Sequence, residues 1–164
     1  MSYQLCNIKL EKSSFAKKVE AQFGKAWNIE QNKLFDLYYS FQACIDKIII
    51  MSPFATVVVK TGFYLQIDDP YIYLEVSSDS NLAHDKGIVV LDSPTSFGHG
   101  FRNEIYLMMY NTTGKSQQIN PYDRIAMFQS KIVNQTAFEY IQGVEQIDAI
   151  KTGKKWIQAE KEKQ

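Results

Sequence analysis

At 164 residues the chain can bury a hydrophobic core without disulfides or metals, and its 45% hydrophobic and 13% aromatic content excludes a disordered polypeptide. Its 18 Lys and Arg side chains balance its 18 Asp and Glu, so no general field draws it to nucleic acid or an anionic membrane. No run approaches the roughly 20 apolar residues of a membrane span, and the first residues lack the apolar stretch of a signal peptide; a cytoplasmic protein is predicted.

In chain order, residues 3–10 set Leu5, Ile8 and Leu10 among polar neighbours and predict a first strand. Residues 13–23 carry Phe15, Ala16, Val19 and Phe23 at helical spacing. With Ser13 or Ser14 as N-cap and Gly24 as the stop, they predict a short amphipathic helix. Beyond it the chain is rich in β-branched and aromatic residues. Strands are predicted over 35–41, 47–50, 56–60, 63–66, 72–77, 87–91, 104–111, 117–119 and 124–133. The breaks between them fall at turn pairs such as Ser52-Pro53, Thr61-Gly62, Asp69-Pro70 and Asn120-Pro121. Many short strands with little helix predict an all-β sandwich, jelly roll or barrel. Cys6 and Cys44, the only cysteines, are expected as buried small hydrophobes rather than a disulfide or metal site. Residues 1–150 are taken as one β domain and 151–164 as a polar tail, in which Trp156 and Ile157 are the large apolar residues.

Four blocks between Leu34 and Phe128 carry a resemblance. Phe35-Asp36-Leu37-Tyr38 is followed by Val59-Lys60-Thr61-Gly62. Leu74-Glu75-Val76-Ser77-Ser78-Asp79-Ser80-Asn81-Leu82-Ala83 leads to Gly87-Ile88-Val89-Val90-Leu91. Phe97-Gly98-His99-Gly100-Phe101-Arg102-Asn103-Glu104-Ile105 comes third, and Ile119-Asn120-Pro121-Tyr122-Asp123-Arg124-Ile125-Ala126-Met127-Phe128 fourth. In order and spacing they are similar to the homotrimeric dUTPase family, whose corresponding stretches read "V-x-T-G", "V-x-P-R-S-S-L-A … G-I-x-V-L-N", "I-D-x-D-Y-R-G-E-I" and "I-x-P-G-D-R-I-A-Q-L". The resemblance implies an all-β, dUTPase-like distorted jelly roll or β-clip barrel with one short N-terminal helix, assembled as a homotrimer. It also implies active sites at subunit junctions that split dUTP into dUMP and pyrophosphate with Mg²⁺, closed by a glycine-rich C-terminal arm.

Carried over residue by residue, the resemblance gives a divided result. Hydrolysing a phosphoanhydride needs a positioned water, a base and groups that neutralise developing charge. Asp36 falls on the aspartate that contacts the water shell of the metal, or else pins a turn. Ser80 falls on the phosphate-binding serine, but Asp79 stands where the family has a phosphate-binding arginine, and a carboxylate repels phosphate. Gly98 occupies the place of the catalytic aspartate and has no side chain to act as a base. His99 is the candidate replacement, although in an extended hairpin it faces away from its neighbour; a solvent-facing loop histidine is the alternative, and His84 is also expected in a loop.

Phe101 keeps the ring that packs under deoxyribose, or serves core packing. Asp92 replaces an asparagine at the base edge. As an acceptor it suits an exocyclic amine such as cytosine's better than uracil O4, or it is a turn aspartate. Asp123 and Arg124 keep the charged pair of the fourth block, Met127 replaces a glutamine, and nothing after Phe128 resembles the glycine-rich arm. Three readings remain open: a dUTPase-family protein with a degenerate or altered site, kept as a nucleotide-binding, regulatory or structural trimer; an active dUTP diphosphatase or related pyrophosphatase using displaced residues, with dUTP the first substrate and dCTP the second; and a protein-interaction module without nucleotide binding.

Overall fold

The computed structural model describes residues 8–31, 38–134 and 137. Asp36, Cys6, Trp156 and the expected boundary at residue 150 lie outside the described residues. The chain divides into two units, Met1–Asn134 and Gln135–Gln164; all that follows concerns the first.

The elements run β1 (Ile8–Lys12), α1 (Ser14–Phe23), β2 (Glu30–Gln31), β3 (Tyr39–Gln42), β4 (Ile49–Met51), β5 (Thr56–Ile67), β6 (Ile72–Ser78), α2 (Ser80–Lys86), β7 (Ile88–Val90), β8 (Thr95–Phe97), β9 (Glu104–Asn111), β10 (Gln117–Ile119) and β11 (Arg124–Ile132). Among the described residues they form three antiparallel sheets, ordered β1-β5-β9-β7, β10-β4 and β2-β3-β11-β6-β8, rather than one closed barrel. The expected all-β, jelly-roll-like class holds. Alternation along the strands explains the core: Val59, Leu65 and Ile67 of β5 and Ile105, Leu107 and Met109 of β9 are buried, as are Ile72, Leu74 and Val76 of β6 and Ile125 and Phe128 of β11. Phe41 and Phe128 stack with centroids 4.0 Å apart at its centre.

Three details depart from the sequence expectation. The break at Thr61-Gly62 is not a turn: β5 continues through it, and the register against β9 shifts between Lys60 and Tyr64. Gly62, at φ +77°, supplies the left-handed residue that such an irregularity uses. A short strand forms at Thr95–Phe97 where none was expected. Residues 80–86 form a helix rather than a loop, so His84 is helical; with Leu82 its single buried residue, α2 shows little apolar periodicity. Its ends define it instead, with Asp79 as N-cap and Gly87 at φ +62° as the left-handed stop.

The predicted N-terminal helix forms with Ser13 as cap, its Oγ accepting from Ala16 N at 3.1 Å, and Gly24 as the αL stop. The chain then folds back to bury Trp27 completely, with its indole Nε1 donating to Thr61 O at 3.0 Å. Glu20 fixes this return by accepting from Trp27 N (2.6 Å) and Lys12 Nζ (2.6 Å), and these bonds, that to Lys12 first, hold its carboxyl below the usual range.

Cys44 is a buried free thiol, pushed up to about 12 by burial and, less strongly, by the Glu104 charge. A thiol that cannot ionise near neutrality is inert. In a Cys6→Ser variant the native protein is expected to resist a thiol reagent at pH 8 and to react fully once denatured; fast labelling of the folded protein would contradict this.

Candidate functional site

Two loci carry the residues singled out by sequence. The first lies where β6 passes into α2. Asp79 caps the helix, its Oδ1 accepting from the Asn81 and Leu82 amides at 3.0 Å each. Its Oδ2 accepts from Arg124 at the start of β11, at 2.9 Å from Nη2 and 3.3 Å from Nε. Asp79 is 2% exposed, so this carboxylate is an internal anion held by two amides and a guanidinium. Its neighbour Ser80 is exposed on the first turn of α2. Asp123 is likewise engaged: Oδ2 accepts from Asn120 N (2.9 Å) and Lys86 Nζ (3.0 Å). The charged pair of the fourth block is thus split between two ion pairs, Arg124–Asp79 and Lys86–Asp123, which tie α2 to the turn before β11. A cleft of about 400 Å³ opens beside them, lined among others by Lys25, Lys86, Tyr122 and Arg124.

Tyr122 is the residue that sequence reasoning missed here. It sits in the turn closed by Asp123 N to Asn120 O (3.1 Å), at φ +67°, a conformation that ordinarily selects glycine. The similar family motif has glycine at this place, and that mismatch was the available signal. Its hydroxyl donates to Lys25 O at 2.6 Å, and its ring lies 4.7 Å from Trp27 and 5.9 Å from Phe23. Burial raises its phenol above the ordinary tyrosine value, keeping it a donor. These contacts recover the local cost of the backbone, of order 1 kcal/mol.

The second locus follows β8. Phe101 N donates to Gly98 O at 3.2 Å, so residues 98–101 make a turn with Gly100 at φ +106°, not the extended hairpin expected. His99 is exposed, and its Nδ1 is bonded to Ile67 O at 3.0 Å. A carbonyl only accepts, so Nδ1 carries the proton and Nε2 is the ring's open nitrogen. A Cβ added to Gly98 would meet nothing within 4 Å. Phe101 is half-buried edge-on to Phe97 at 4.8 Å, and both line a hollow of about 340 Å³ with Asn103, Glu104 and Tyr106. Glu104, also unforeseen, is 6% exposed; Oε2 accepts from Tyr106 Oη at 3.2 Å, while the buried Oε1 has no hydrogen-bond partner among the described residues. Its charge raises the Tyr106 phenol. Asp92 is exposed in the turn after β7.

The register of β6 separates the two loci. Phe97 pairs with Leu74, whereas Asp79 follows the far end of β6. Five residues of strand at ~3.3 Å each put them about 16 Å apart. One protomer therefore does not bring Ser80 and Gly98 together. Among the described residues no group of three or more His, Cys, Asp or Glu is placed to hold a metal ion, and no helix is long and apolar enough to cross a membrane.

This arrangement of open antiparallel sheets is the dUTPase fold. A dUTPase of Staphylococcus bacteriophage 80alpha bound to dUpNHpp superposes with a TM-score of 0.67 at 14% identity, over 87% of this chain and 92% of that one. A mutant dUTPase from phage phi11 of S. aureus, described with a structural Mg(II) ion, gives 0.66 at 14% identity, over 85% and 99%. No family model matches the chain. In sequence, the deoxyuridine 5'-triphosphate nucleotidohydrolase of Hydrogenobaculum sp. (strain Y04AAS1) is 34% identical over 83 residues, 51% of this chain and 57% of that protein. The Anaplasma marginale (strain St. Maries) enzyme is 29% identical over 109 residues, 66% and 71%. In fold and in sequence the chain is similar to dUTPases. It spans little more than half the length of the first curated relatives it matches.

Proposed function

We propose that the chain is a dUTPase-family protein with a catalytically degenerate site, kept as a nucleotide-binding, regulatory or structural homotrimer in the cytoplasm. The observation that carries the reading is Gly98: the place that the resemblance gives to the catalytic aspartate has no side chain to act as a base. Loss of a general base costs roughly 10²–10⁴ in rate. Asp79 supports the reading, because its carboxylate fills the amides and guanidinium that an anionic ligand would want. The separation of Ser80 from Gly98 along β6 supports assembly, since a site using both needs residues from two copies. The nucleotide is dUTP or dUMP first and dCTP second, packed on Phe101 with Asp92 at the base edge. Mg²⁺ would accompany the phosphates, with Asp36 its residue named from sequence. The regulatory option has a parallel in the 80alpha dUTPases, which are described as controlling transfer of virulence genes.

With Mg²⁺ and dUTP the purified protein is expected to release pyrophosphate at least about 10²-fold more slowly than an ordinary enzyme. Its Tm is nevertheless expected to rise with dUTP or dUMP, by about 2.7 kcal/mol of stabilisation at a hundredfold excess over Kd. Turnover at ordinary rates refutes degeneracy. A Tm unmoved by every deoxynucleotide at millimolar concentration refutes nucleotide binding and leaves the interaction module.

A further inference from the structure

The cleft beside α2 contains three cations, and two are already engaged. Arg124 is paired with Asp79 and Lys86 with Asp123. The third, Lys25, takes part in no ion pair among the described residues. Its ammonium instead lies 4.7 Å from the centroid of the Tyr122 ring, while its own carbonyl accepts the Tyr122 hydroxyl at 2.6 Å. Backbone and side chain of one lysine are therefore both held by one tyrosine. That tyrosine occupies a left-handed turn position at energetic cost. Behind Lys25, the buried Trp27 and the Glu20 carboxylate anchor the segment. Of the remaining charges on the cleft wall, Asp85 lies 2.9 Å from His84 Nδ1.

A cation on an aromatic face keeps its charge and its outward N–H donors while losing freedom to wander. An exposed lysine so restrained loses less entropy on meeting an anion than a free one does. The position that the family gives to a phosphate-binding arginine has become an internal carboxylate, and the turn position that it gives to glycine has become the tyrosine holding Lys25. The two changes fall on the same cleft.

We propose that Lys25, positioned by Tyr122, is the cation that meets the phosphates of a bound deoxynucleotide in this cleft, substituting from the N-terminal segment for the arginine that Asp79 replaces. The ligand class is a polyphosphate ester. The proposal rests on the nucleotide-binding reading given above. Tyr122 acts as a positioning residue and Lys25 as the contact.

The test is calorimetric titration of inorganic tripolyphosphate, dUTP and deoxyuridine into the full chain and into Lys25→Gln and Lys25→Arg, with ligand-free Tm confirming that each variant is folded. Lys25→Gln is expected to weaken tripolyphosphate and dUTP about tenfold, Lys25→Arg by no more than about threefold, and deoxyuridine binding to stay unchanged. Tyr122→Gly suits the turn but drops the ring, and is expected to weaken the phosphate ligands in the same direction. If Lys25→Gln binds dUTP as tightly as the natural chain, the proposal is overturned while nucleotide binding stands. The same holds if the natural chain binds deoxyuridine but not tripolyphosphate. If it binds none of the three, both fall.

Discussion

Replacing Asp79 by alanine is expected to destabilise the folded chain by about 3–4 kcal/mol, the loss being that of a buried ion pair broken on one side together with a helix cap. The carboxylate is 98% hidden in the fold, being 2% exposed, and makes four bonds to three residues. Removing it strands the Arg124 guanidinium, but that side chain is 33% exposed and can recruit water, which keeps the cost near the lower end of the range for buried pairs. The cap adds about 1 kcal/mol, because α2 is short and has no apolar stripe to hold it otherwise. Asp79→Asn keeps an acceptor for the Asn81 and Leu82 amides and loses only the charge, so about half the effect should remain. Urea unfolding with an unchanged slope would measure both. A loss below about 1 kcal/mol for alanine would show that the network is not what holds β6, α2 and β11 together. The prediction bears on function as well. An arginine placed at 79 would remove the acceptor for the Asn81 and Leu82 amides and set a second guanidinium against Arg124 in place of the carboxylate now bonded at 2.9 Å, so that single change is expected to destabilise α2.

How much of this was legible beforehand divides along physical lines. Strands set off by turn residues were clear: Glu104–Asn111 and Gln117–Ile119 form as predicted, each ending at a Gly- or Pro-containing break. The helix at Ser14–Phe23 was clear from its apolar period of 3.6, with its cap and stop residues in place. Features decided by one backbone bond were not clear. Thr61-Gly62 has the composition of a turn, yet Gly62 serves a shift of register inside β5, and only the strand on each side settles which of the two it is. Helix α2 carries Ser, Asn, His and Asp, residues at home in loops, and exists because Asp79 and Gly87 close its ends. The site followed the same division. The missing side chain at Gly98 and the carboxylate at Asp79 could be read from residue type. The destination of the Asp79 charge could not, since Arg124 is 45 residues away and no spacing rule links them. Nor could Tyr122 be foreseen as a tether for Lys25, 97 residues earlier.

The largest single loss of stability is expected at Trp27, where alanine should cost about 3–5 kcal/mol. The ring is wholly buried, touches Tyr122 and sits against Gly62, where even a Cβ would come within 2.7 Å of Nε1. Its removal empties the space between the return of the N-terminal segment and the bulged centre of β5, and leaves the Thr61 carbonyl without its indole donor. Trp27→Phe should cost less, about 2 kcal/mol, because the ring volume is largely kept while the hydrogen bond is lost. Coupling with Gly62 makes the interpretation testable. Gly62→Ala alone is expected to be severely destabilising, since its φ of +77° is strained for any L side chain and the new methyl collides with the indole and with Cys44 Sγ at 2.8 Å. In a Trp27→Ala background the indole collision is gone while the φ strain and the Cys44 contact remain. The double variant should therefore be more stable than the sum of the two single losses by about 1 kcal/mol or more, measured as a double-mutant cycle in urea. Additive losses would mean that Trp27 and Gly62 do not share a packed site, and that the bulge in β5 is shaped by β9 alone. A cooperative result would tie the N-terminal segment, and with it Lys25 above the cleft, to the middle of the four-stranded sheet.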